Sequence, residues 1–492
     1  MKTFYCIFSL ILGALLFSPS AFAQTDSDYP DNLRYRKWRL TLVNPISTNG
    51  LKAPSYTARY SINVLGGYHG GLDGFEIGGL FNYNERYSNG VQIAGLVNAT
   101  QGSMSGINVA GLVNFANNDM SGIQAAGIGN FTNSDLAGIQ VAGLVNNSLG
   151  SISGIQVAGI ANISNEYLEG LQFSSILNFA HNDLSGLQVS SGINIAQGDV
   201  EGLQISGLLS YAGRDISGLQ ISGFATVSRG NSEGLIMSTA LNYGNRNASG
   251  LLLTGGLNVS RNLDGLMISG IGNTSKNMTG VQLSGIFNLA NRAEGMQIAP
   301  FNFAREFNGL PIGLISLYGN GRKNIDLRYT DGGFAEYTFT TGTYRVYNMA
   351  ILGYNTALDR DVFRVGIGAG LERNIVDVYP RLDFPSVFIN QELSLVHNFE
   401  DKWDRKTNMI LSYRFLVGKR FGSGVSIYGG PSFNTQITRV AAANDYTWYS
   451  LWSPEWKGRQ YRFWVGFTAG IRLFKQKRVP NLDKNWDIDY EW

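Results

Sequence analysis

The segment Gly138-Ile-Gln-Val-Ala-Gly-Leu-Val-Asn146 is one copy of a motif that recurs through the middle of the chain. Its first glycine returns every sixteen residues from Gly74 to Gly250, and then at spacings of fifteen and fourteen as far as Gly309. Most copies carry Gln at the third position and Asn at the ninth. A period this short predicts about fifteen units that stack on one another and bury a shared core.

Inside each unit, Ile, Leu, Val or Met at the second and fourth positions alternates with Gln and with Ala or Ser. This alternation predicts a short strand whose second and fourth side chains are buried, leaving Gln, Ser and Ala on an exposed flat face. A further apolar residue, such as Leu136, recurs in each turn and suits a filled coil. Region 74–309 is therefore predicted to be a β-solenoid. The Asn of successive units are expected to form a hydrogen-bonded ladder: Asn98, Asn114, Asn130, Asn146, Asn162, Asn178 and Asn194.

A rival architecture for the repeats is an up-and-down membrane barrel, with ten residues of strand and six of turn in each unit. Every connection would then be equally short, whereas outer-membrane barrels alternate short turns with longer loops. The apolar residue within each turn would also have no reason to recur. The solenoid is the preferred interpretation.

The segments that flank the repeats show longer and more aromatic alternation. In Phe363–Glu372 and in Phe463–Phe474, an apolar face opposes a face of Gly, Thr and charged residues. This is the pattern of a transmembrane β-strand. Similar strands are expected across 310–474 and also in 24–73. The sequence therefore predicts an all-β chain in which eight to twelve strands close an antiparallel outer-membrane-type β-barrel that carries the solenoid.

The first 23 residues have the features of a secretory signal peptide: Lys2, an apolar run, and Ala21-Phe22-Ala23 before the expected cleavage between Ala23 and Gln24. Cys6 is the only Cys, so the mature chain is expected to have no disulfide. The net charge of +2 gives no reason to expect a nucleic-acid partner. Residues 475–492 are a polar tail.

No pattern in the sequence indicates catalysis or a cofactor. The three His are not spaced with other metal ligands, so no metal site is expected. No nucleophile elbow or triad pattern is present, and we expect no catalytic residue. A secreted polysaccharide hydrolase on a β-helix would need paired carboxylates. The repeat carboxylates occupy a turn position that suits turn chemistry better: Asp119, Asp135, Asp183, Asp199 and Asp215.

The segment 441–459, between two strong strands, is rich in aromatic residues. It is the best candidate for binding a glycan, lipid or protein surface. The alternative is a loop that folds back on the barrel mouth or joins an interfacial aromatic belt. The candidate binding residues are Tyr446, Trp448, Tyr449, Trp452 and Trp456.

The chain resembles a family of bacterial surface-repeat-containing proteins. The resemblance rests on Asn44–Gly50, Gly74–Leu80, the Gly-Ile-Gln-Val-Ala-Gly-Leu-Val-Asn units, Tyr337–Asn348 and Trp464–Arg472. It implies export to the cell surface or outer membrane, and it supplies no catalytic residues. Ile236, Leu252 and Met267 depart from the Gln pattern.

Together these features predict a non-enzymatic outer-membrane or cell-surface protein with a structural or adhesion-like role. The expected partners are outer-membrane lipid and an extracellular glycan or protein. A second hypothesis is an outer-membrane pore whose wall includes the repeats, and a third is the secreted hydrolase.

Overall fold

The computed structural model of the protein describes residues 33–376, 387–400, 406–421, 424–440 and 445–473. The predicted signal peptide, 1–23, and the polar tail, 475–492, lie outside the described residues. The chain divides after Ala126 into two compact units. The fold consists of a parallel β-solenoid of about 16 turns and a closed eight-stranded antiparallel β-barrel, which confirms the predicted fold class. In the part of the chain that is described, no helix is long and apolar enough to cross a membrane.

The first unit consists of solenoid strands, including those before the repeats. Strand β1 pairs in parallel with β3, and β3 pairs in parallel with β4. The expectation that 24–73 supplies barrel strands is therefore wrong for 33–73, because the backbone groups of β1 and β3 are paired within the parallel sheet. Residues 24–32 lie outside the described residues. The elements are β1 (Arg34–Val43), β2 (Ile46–Ser47), a 3-10 helix (Gly50–Ser55), β3 (Tyr56–Gly78), β4 (Phe81–Ala94), β5 (Val97–Thr100), β6 (Ser103–Ala110), β7 (Val113–Ala116) and β8 (Met120–Ala126).

The second unit begins with further solenoid turns. A typical turn has a strand of 7 residues, a bend, and a strand of 4 residues. Each strand pairs in parallel with its equivalent in the neighbouring turns, so equal motif positions are adjacent. Parallel pairing rules out the repeats as an up-and-down barrel wall. The strands are β9 (Gly129–Thr132), β10 (Leu136–Ala142), β11 (Val145–Ser148), β12 (Ile152–Ala158), β13 (Ala161–Ser164), β14 (Leu168–Ser174), β15 (Leu177–Ala180), β16 (Leu184–Ser190), β17 (Ile193–Ala196), β18 (Val200–Ser206), β19 (Leu209–Ala212), β20 (Ile216–Ser222), β21 (Ala225–Ser228), β22 (Ser232–Ser238), β23 (Leu241–Thr254), β24 (Leu257–Ser269), β25 (Gly272–Ser284), β26 (Phe287–Ile298), β27 (Phe301–Ile312) and β28 (Ile315–Tyr318).

The solenoid is polar inside and apolar outside, which is the reverse of the expected burial. Gln156 and Asn162 have no exposed surface, whereas Val157 is 38% exposed. The apolar turn residue, such as Ile152, is buried as predicted. The alternation was predicted correctly, but its direction was not, because a period of two does not say which face points inward. The reversal requires that the interior amides find partners, since an unpaired buried amide is costly.

The barrel follows the last solenoid turn. Strands β29 to β35 and β37 pair with their neighbours in antiparallel order, and β29 pairs with β37 to close the cylinder. It starts at Arg322, later than the expected boundary at 310, because 310–318 completes the last solenoid turn. The strands are β29 (Arg322–Thr330), β30 (Phe334–Gly342), β31 (Val346–Asn355), β32 (Val362–Val376), β33 (Val387–Glu400), β34 (Asn408–Phe421), β35 (Val425–Thr438), β36 (Glu455–Trp456) and β37 (Arg459–Leu473).

The last solenoid turn ends against the outside of the barrel wall. Ser316, in β28, donates its backbone N–H to Thr341 Oγ1 at 2.9 Å, and Asn348 Nδ2 donates to Ser316 Oγ at 2.8 Å. The neighbouring Tyr347 points into the barrel, where its hydroxyl donates to Glu392. Because side chains alternate along a strand, Asn348 points out of the barrel. The barrel wall therefore covers the open end of the solenoid.

Substitution of a motif glycine tests the close backbone contact between neighbouring turns. Gly170 has φ +143°, and a Cβ atom there would lie 2.0 Å from the carbonyl oxygen of Gly154. We expect Gly170→Ala to lower the free energy of unfolding by at least about 2 kcal/mol, because the backbone strain and the clash add. Glu169→Ala, at the exposed neighbouring position, should change it by less than about 0.5 kcal/mol. Equal effects in denaturant titrations of the two variants would contradict this explanation.

Candidate functional site

The Asn ladder runs through the solenoid interior. Asn146 Nδ2 donates to Asn162 Oδ1 at 3.0 Å, and it also contacts the carbonyl oxygens of Val157 and Gln140 at 2.8 and 3.2 Å. The same bond joins Asn162 to Asn178. The Asn named from the sequence are all fully buried: Asn98, Asn114, Asn130, Asn146, Asn162, Asn178 and Asn194. Each amide therefore connects two turns and also satisfies the backbone of its bend.

A second ladder is built from the Gln at the third motif position, which the sequence analysis had placed on the surface. Gln156 Nε2 donates to Gln140 Oε1 at 2.8 Å, and Gln172 Nε2 donates to Gln156 Oε1 at 2.9 Å. These donors point toward earlier turns, whereas the Asn donors point toward later turns. Where Ile236, Leu252 and Met267 replace Gln, the Gln ladder is interrupted by apolar side chains that are also buried.

In the first unit, a buried charged cluster surrounds Glu76. Glu76 occupies the third motif position and accepts hydrogen bonds from Gln92 at 2.9 Å and from Asn84 at 2.8 Å. Arg39 forms a salt bridge with the same carboxylate at 2.9 Å. A carboxylate only accepts hydrogen bonds, so it suits a position toward which the side-chain amide of Gln92 donates. The sequence analysis missed this cluster, although Glu76 replaces Gln in the motif.

The cluster shifts two pKa values. Burial alone would raise the pKa of Glu76, but Arg39 and the amides of Gln92 and Asn84 outweigh it and lower this pKa to about 2. Burial, and then the nearby Arg39, lower the pKa of His69 to about 3. His69 is therefore neutral at pH 7, with Nε2 placed to donate to Asn63 at 2.9 Å.

The barrel interior is filled by a network of ion pairs. Arg328 bridges Glu392 at 2.7 Å and Asp326 at 3.0 Å, and Arg472 bridges Asp326 at 2.9 Å and Glu372 at 2.8 Å. All these side chains are buried. A further ion pair joins Arg364 to Glu336 at 2.7 Å. It lies nearer the end of the barrel that carries the 331–333 connection. Charges at such depth are stable only when paired and hydrogen-bonded.

The outer face of the barrel is apolar. Leu352, Ile367, Leu393 and Phe467 are each about half exposed although they lie in regular strands. Side chains of this kind alternate with the interior ion pairs along each strand, since Leu393 follows Glu392 and Leu327 precedes Arg328. A barrel in water would have the opposite arrangement.

Tyr446 closes one end of the barrel. It is 1% exposed, packs edge-on against Phe334, and donates its hydroxyl to Glu400 at 2.5 Å. The cavity beneath it, beside Arg414, has a volume of about 10 Å³, room for about one water molecule. Tyr446 was predicted as a binding residue, but its burial makes it a packing residue.

The other four predicted aromatic residues are exposed. Trp448 is 99% exposed, and Tyr449, Trp452 and Trp456 are between 52% and 64% exposed. Trp452 stacks on Phe463, with 5.2 Å between the ring centroids, so this part of the segment folds back on the wall. Outside the barrel, a groove of about 300 Å³ lies between Leu451 and apolar wall residues such as Leu393.

The carboxylates of the repeat turns are engaged in turn-to-turn contacts. Asp183 accepts from the backbone N–H of Asp199 at 2.7 Å, and Asp199 accepts from that of Asp215 at 2.9 Å. Among the described residues, no group of three or more His, Cys, Asp or Glu could hold a metal ion.

The fold and these contacts define a closed eight-stranded β-barrel with an apolar outer face and a β-solenoid with a polar core on its wall. Compared with known proteins, the chain matches no family model, no curated protein and no solved structure.

Two adjacent asparagines test the ladder. Asn146 points inward and Asn147 points outward. We expect Asn146→Ala to lower the free energy of unfolding by about 2–4 kcal/mol, because it leaves buried amide and carbonyl groups without partners. Asn147→Ala should change it by less than about 0.5 kcal/mol. Chemical denaturation of both variants measures this, and a small loss for Asn146→Ala would refute the role of the ladder.

The charged cluster predicts acid sensitivity. As the pH falls below the ordinary His value of 6.5, His69 takes up a proton in the unfolded chain but not in the folded chain. The free energy of unfolding of the first unit should therefore fall with pH, and Glu76 should add to the loss below 4.5. We expect His69→Asn to remove the loss between 6.5 and 4.5 and to keep the loss below it. An unchanged pH profile in this variant would rule out His69 as the source.

Proposed function

We propose that the protein is a non-enzymatic outer-membrane protein in which the barrel is the anchor and the solenoid is an elongated structural or binding scaffold. The observation that carries this proposal is the polarity of the barrel, with half-exposed Leu393 outside and the fully buried Arg328–Glu392 ion pair inside. An apolar outer band around a polar interior is the arrangement of outer-membrane barrels. The predicted signal peptide and the resemblance to surface-repeat proteins agree with it.

The lengths of the connections between barrel strands support an assignment of one barrel end to the periplasm and the other to the cell exterior. At the barrel end near the solenoid, strands are joined by 343–345, 377–386 and 422–424. At the other end the connections are 331–333, 356–361, 401–407 and 439–458, which include the longest. Outer-membrane barrels have short periplasmic turns and longer extracellular loops. We therefore assign the aromatic segment to the extracellular side and the solenoid attachment to the periplasmic side.

The exposed aromatic residues support a binding role on the extracellular side. Trp448 and Trp456 present flat apolar rings with a polar N–H edge, a combination suited to the faces of sugars and to protein surfaces. We propose an extracellular glycan or protein as the partner of this segment, and we assign it no catalytic step.

Conduction through the barrel is disfavoured by the ion pairs that fill it. Eight-stranded barrels enclose little more than their own side chains. Arg328, Asp326 and Arg472 lie across the lumen of this barrel and are bound to one another. In planar bilayers we expect no stepwise conductance from the purified protein, which distinguishes the anchor from the pore hypothesis.

Membrane assembly provides the main test. The folded protein should remain in the membrane fraction after a salt wash and should migrate differently on gels before and after heating, as closed barrels do. Ile367→Arg, which places a charge on the outer band, should weaken assembly by about 2–4 kcal/mol and deplete the heat-shifted form. Trp448→Arg, in the exposed segment, is the control and should assemble normally. Protein found only in the soluble fraction would overturn the proposal.

Protease digestion of intact cells tests the sidedness. We expect cleavage in the segment 439–458 and protection of the repeats until the outer membrane is permeabilised. Cleavage of the repeats on intact cells would reverse the assignment and leave the barrel anchor unaffected.

A further inference from the structure

The outside of the solenoid carries an unusual distribution of charge. In all turns from Gly74 to Ile312, the second and fourth motif positions are apolar. From the motif glycine to the residue after the ninth motif position, the sequence has no Lys, Arg or Asp, and its only Glu is the buried Glu76. Apart from the buried Glu76, every charged residue lies in the turn segment or directly before the motif glycine. The solenoid is therefore amphipathic around its circumference.

In the second unit, the apolar outer surface covers two faces and the bend between them. Val157 represents the face of the longer strands, Phe179 the face of the shorter strands, and Leu208 the bend. The bend residues are the most exposed: Ile176 by 56%, Leu208 by 57% and Phe224 by 61%. Apolar surface that is convex and continuous over many turns is unusual for a protein in water.

A row of cations borders this apolar surface in the later turns. Six consecutive turns each place one exposed Lys or Arg three or four residues after the position of the Asn ladder: Arg229, Arg246, Arg261, Lys276, Arg292 and Arg305. The acidic residues of these turns lie mostly on the far side of the turn, as Glu233, Asp264 and Glu294 do, although Glu306 pairs with Arg292 at 3.0 Å. Cations beside an apolar surface match the phosphates and acyl chains of lipid.

The attachment to the barrel sets the direction of the solenoid. The Asn ladder continues through Asn302 to Ser316, and Asn348 of the outer barrel wall donates to Ser316 at 2.8 Å. Because the ladder follows the solenoid axis and ends on the wall, the axis leaves the barrel sideways. Asn348 is three residues from the 343–345 turn, so the contact lies on the order of 10 Å from the rim. This is the depth of the boundary between headgroups and acyl chains.

Lipid fits this surface better than a protein partner does. A second copy, at about 800 Å² per partner in a standard interface, would cover part of one flat face and leave the bend in water. A bilayer surface can take up both faces and the bend together, while the charged turn segment stays in water.

We propose that the solenoid lies along the membrane as an amphipathic wedge, with its apolar faces in the acyl chains and its cation row on the phosphates of anionic phospholipid. The inference rests on the proposed barrel anchor. It assigns the membrane as the partner of the repeats, which are otherwise an undefined scaffold.

Fluorescence quenching of single-cysteine variants of the full chain tests the wedge. Cys6 is the only Cys and is replaced by Ser in every variant. An environment-sensitive label is placed at Leu208→Cys or Phe224→Cys on the bend, at Ser185→Cys or Ser217→Cys on the polar edge, and at Leu393→Cys on the barrel wall. In phosphatidylglycerol-containing vesicles, brominated acyl chains should quench the bend labels at least about threefold more than the edge labels. Aqueous iodide should give the reverse order.

The outcomes separate the two proposals. One outcome is that lipid quenches the label at Leu393→Cys, while iodide quenches the bend labels as strongly as the edge labels. This would overturn the wedge proposal and leave the barrel anchor in place. If neither quencher reaches the bend labels, a protein covers this surface. This result would also overturn the wedge proposal. No lipid quenching at Leu393→Cys would overturn the anchor itself.

The cation row is tested by charge removal. Neutralising Arg246, Arg261 and Lys276 to Gln should abolish the increase in bend quenching that anionic lipid produces over neutral lipid. The matched control changes Glu233→Gln, Asp264→Asn and Glu294→Gln, and it should retain the increase. If both variants show the same increase in bend quenching with anionic lipid, the cation row does not recognise the headgroups and that part of the proposal is wrong.

Discussion

The pairing of buried side-chain amides is the constraint on which the solenoid depends. An amide in a dry interior must have partners for its donors and acceptors. Most Asn of the ninth motif position and most Gln of the core find them in the equivalent residue of the neighbouring turn. This is possible only if successive turns keep the same register, and so the period stays close to sixteen where the amides lie. The small Ala and Ser around them leave room for the ladders.

Buried polar groups are also paired at both ends of the solenoid. In the first unit, Glu76 accepts a hydrogen bond from the side-chain amide of Gln92, and Arg39 balances the charge of the Glu76 carboxylate. In the second unit, the ladder passes from Asn302 to Ser316 and meets Asn348 of the barrel wall. Open ends of parallel sheets invite further strands. Here, β1 covers the edge of β3 in one unit, and the barrel covers β28 in the other.

The period, the Asn positions and the strands of the barrel could be predicted from the sequence because each rests on local alternation or repetition. The inward and outward faces of the solenoid could not, since the prediction assumed that apolar side chains point inward. A signal was present: apart from Glu76, the repeat charges avoid the second to fourth motif positions, while most turns carry Gln at the third motif position and Asn at the ninth. The partners of Tyr446 and of Arg39 depend on contacts between distant segments, which one sequence does not reveal.

The opposite directions of the two ladders have a further consequence. The Asn donors point toward later turns and the Gln donors toward earlier ones, so their dipoles oppose each other along the axis. An α-helix builds up an axial dipole as its peptide units align, but a pair of opposed ladders does not. A turn can therefore be gained or lost without changing the electrostatics that either end must satisfy. Gene segments encoding single turns could thus duplicate or be deleted while both terminal structures stay the same, which makes the length of the solenoid an evolvable quantity.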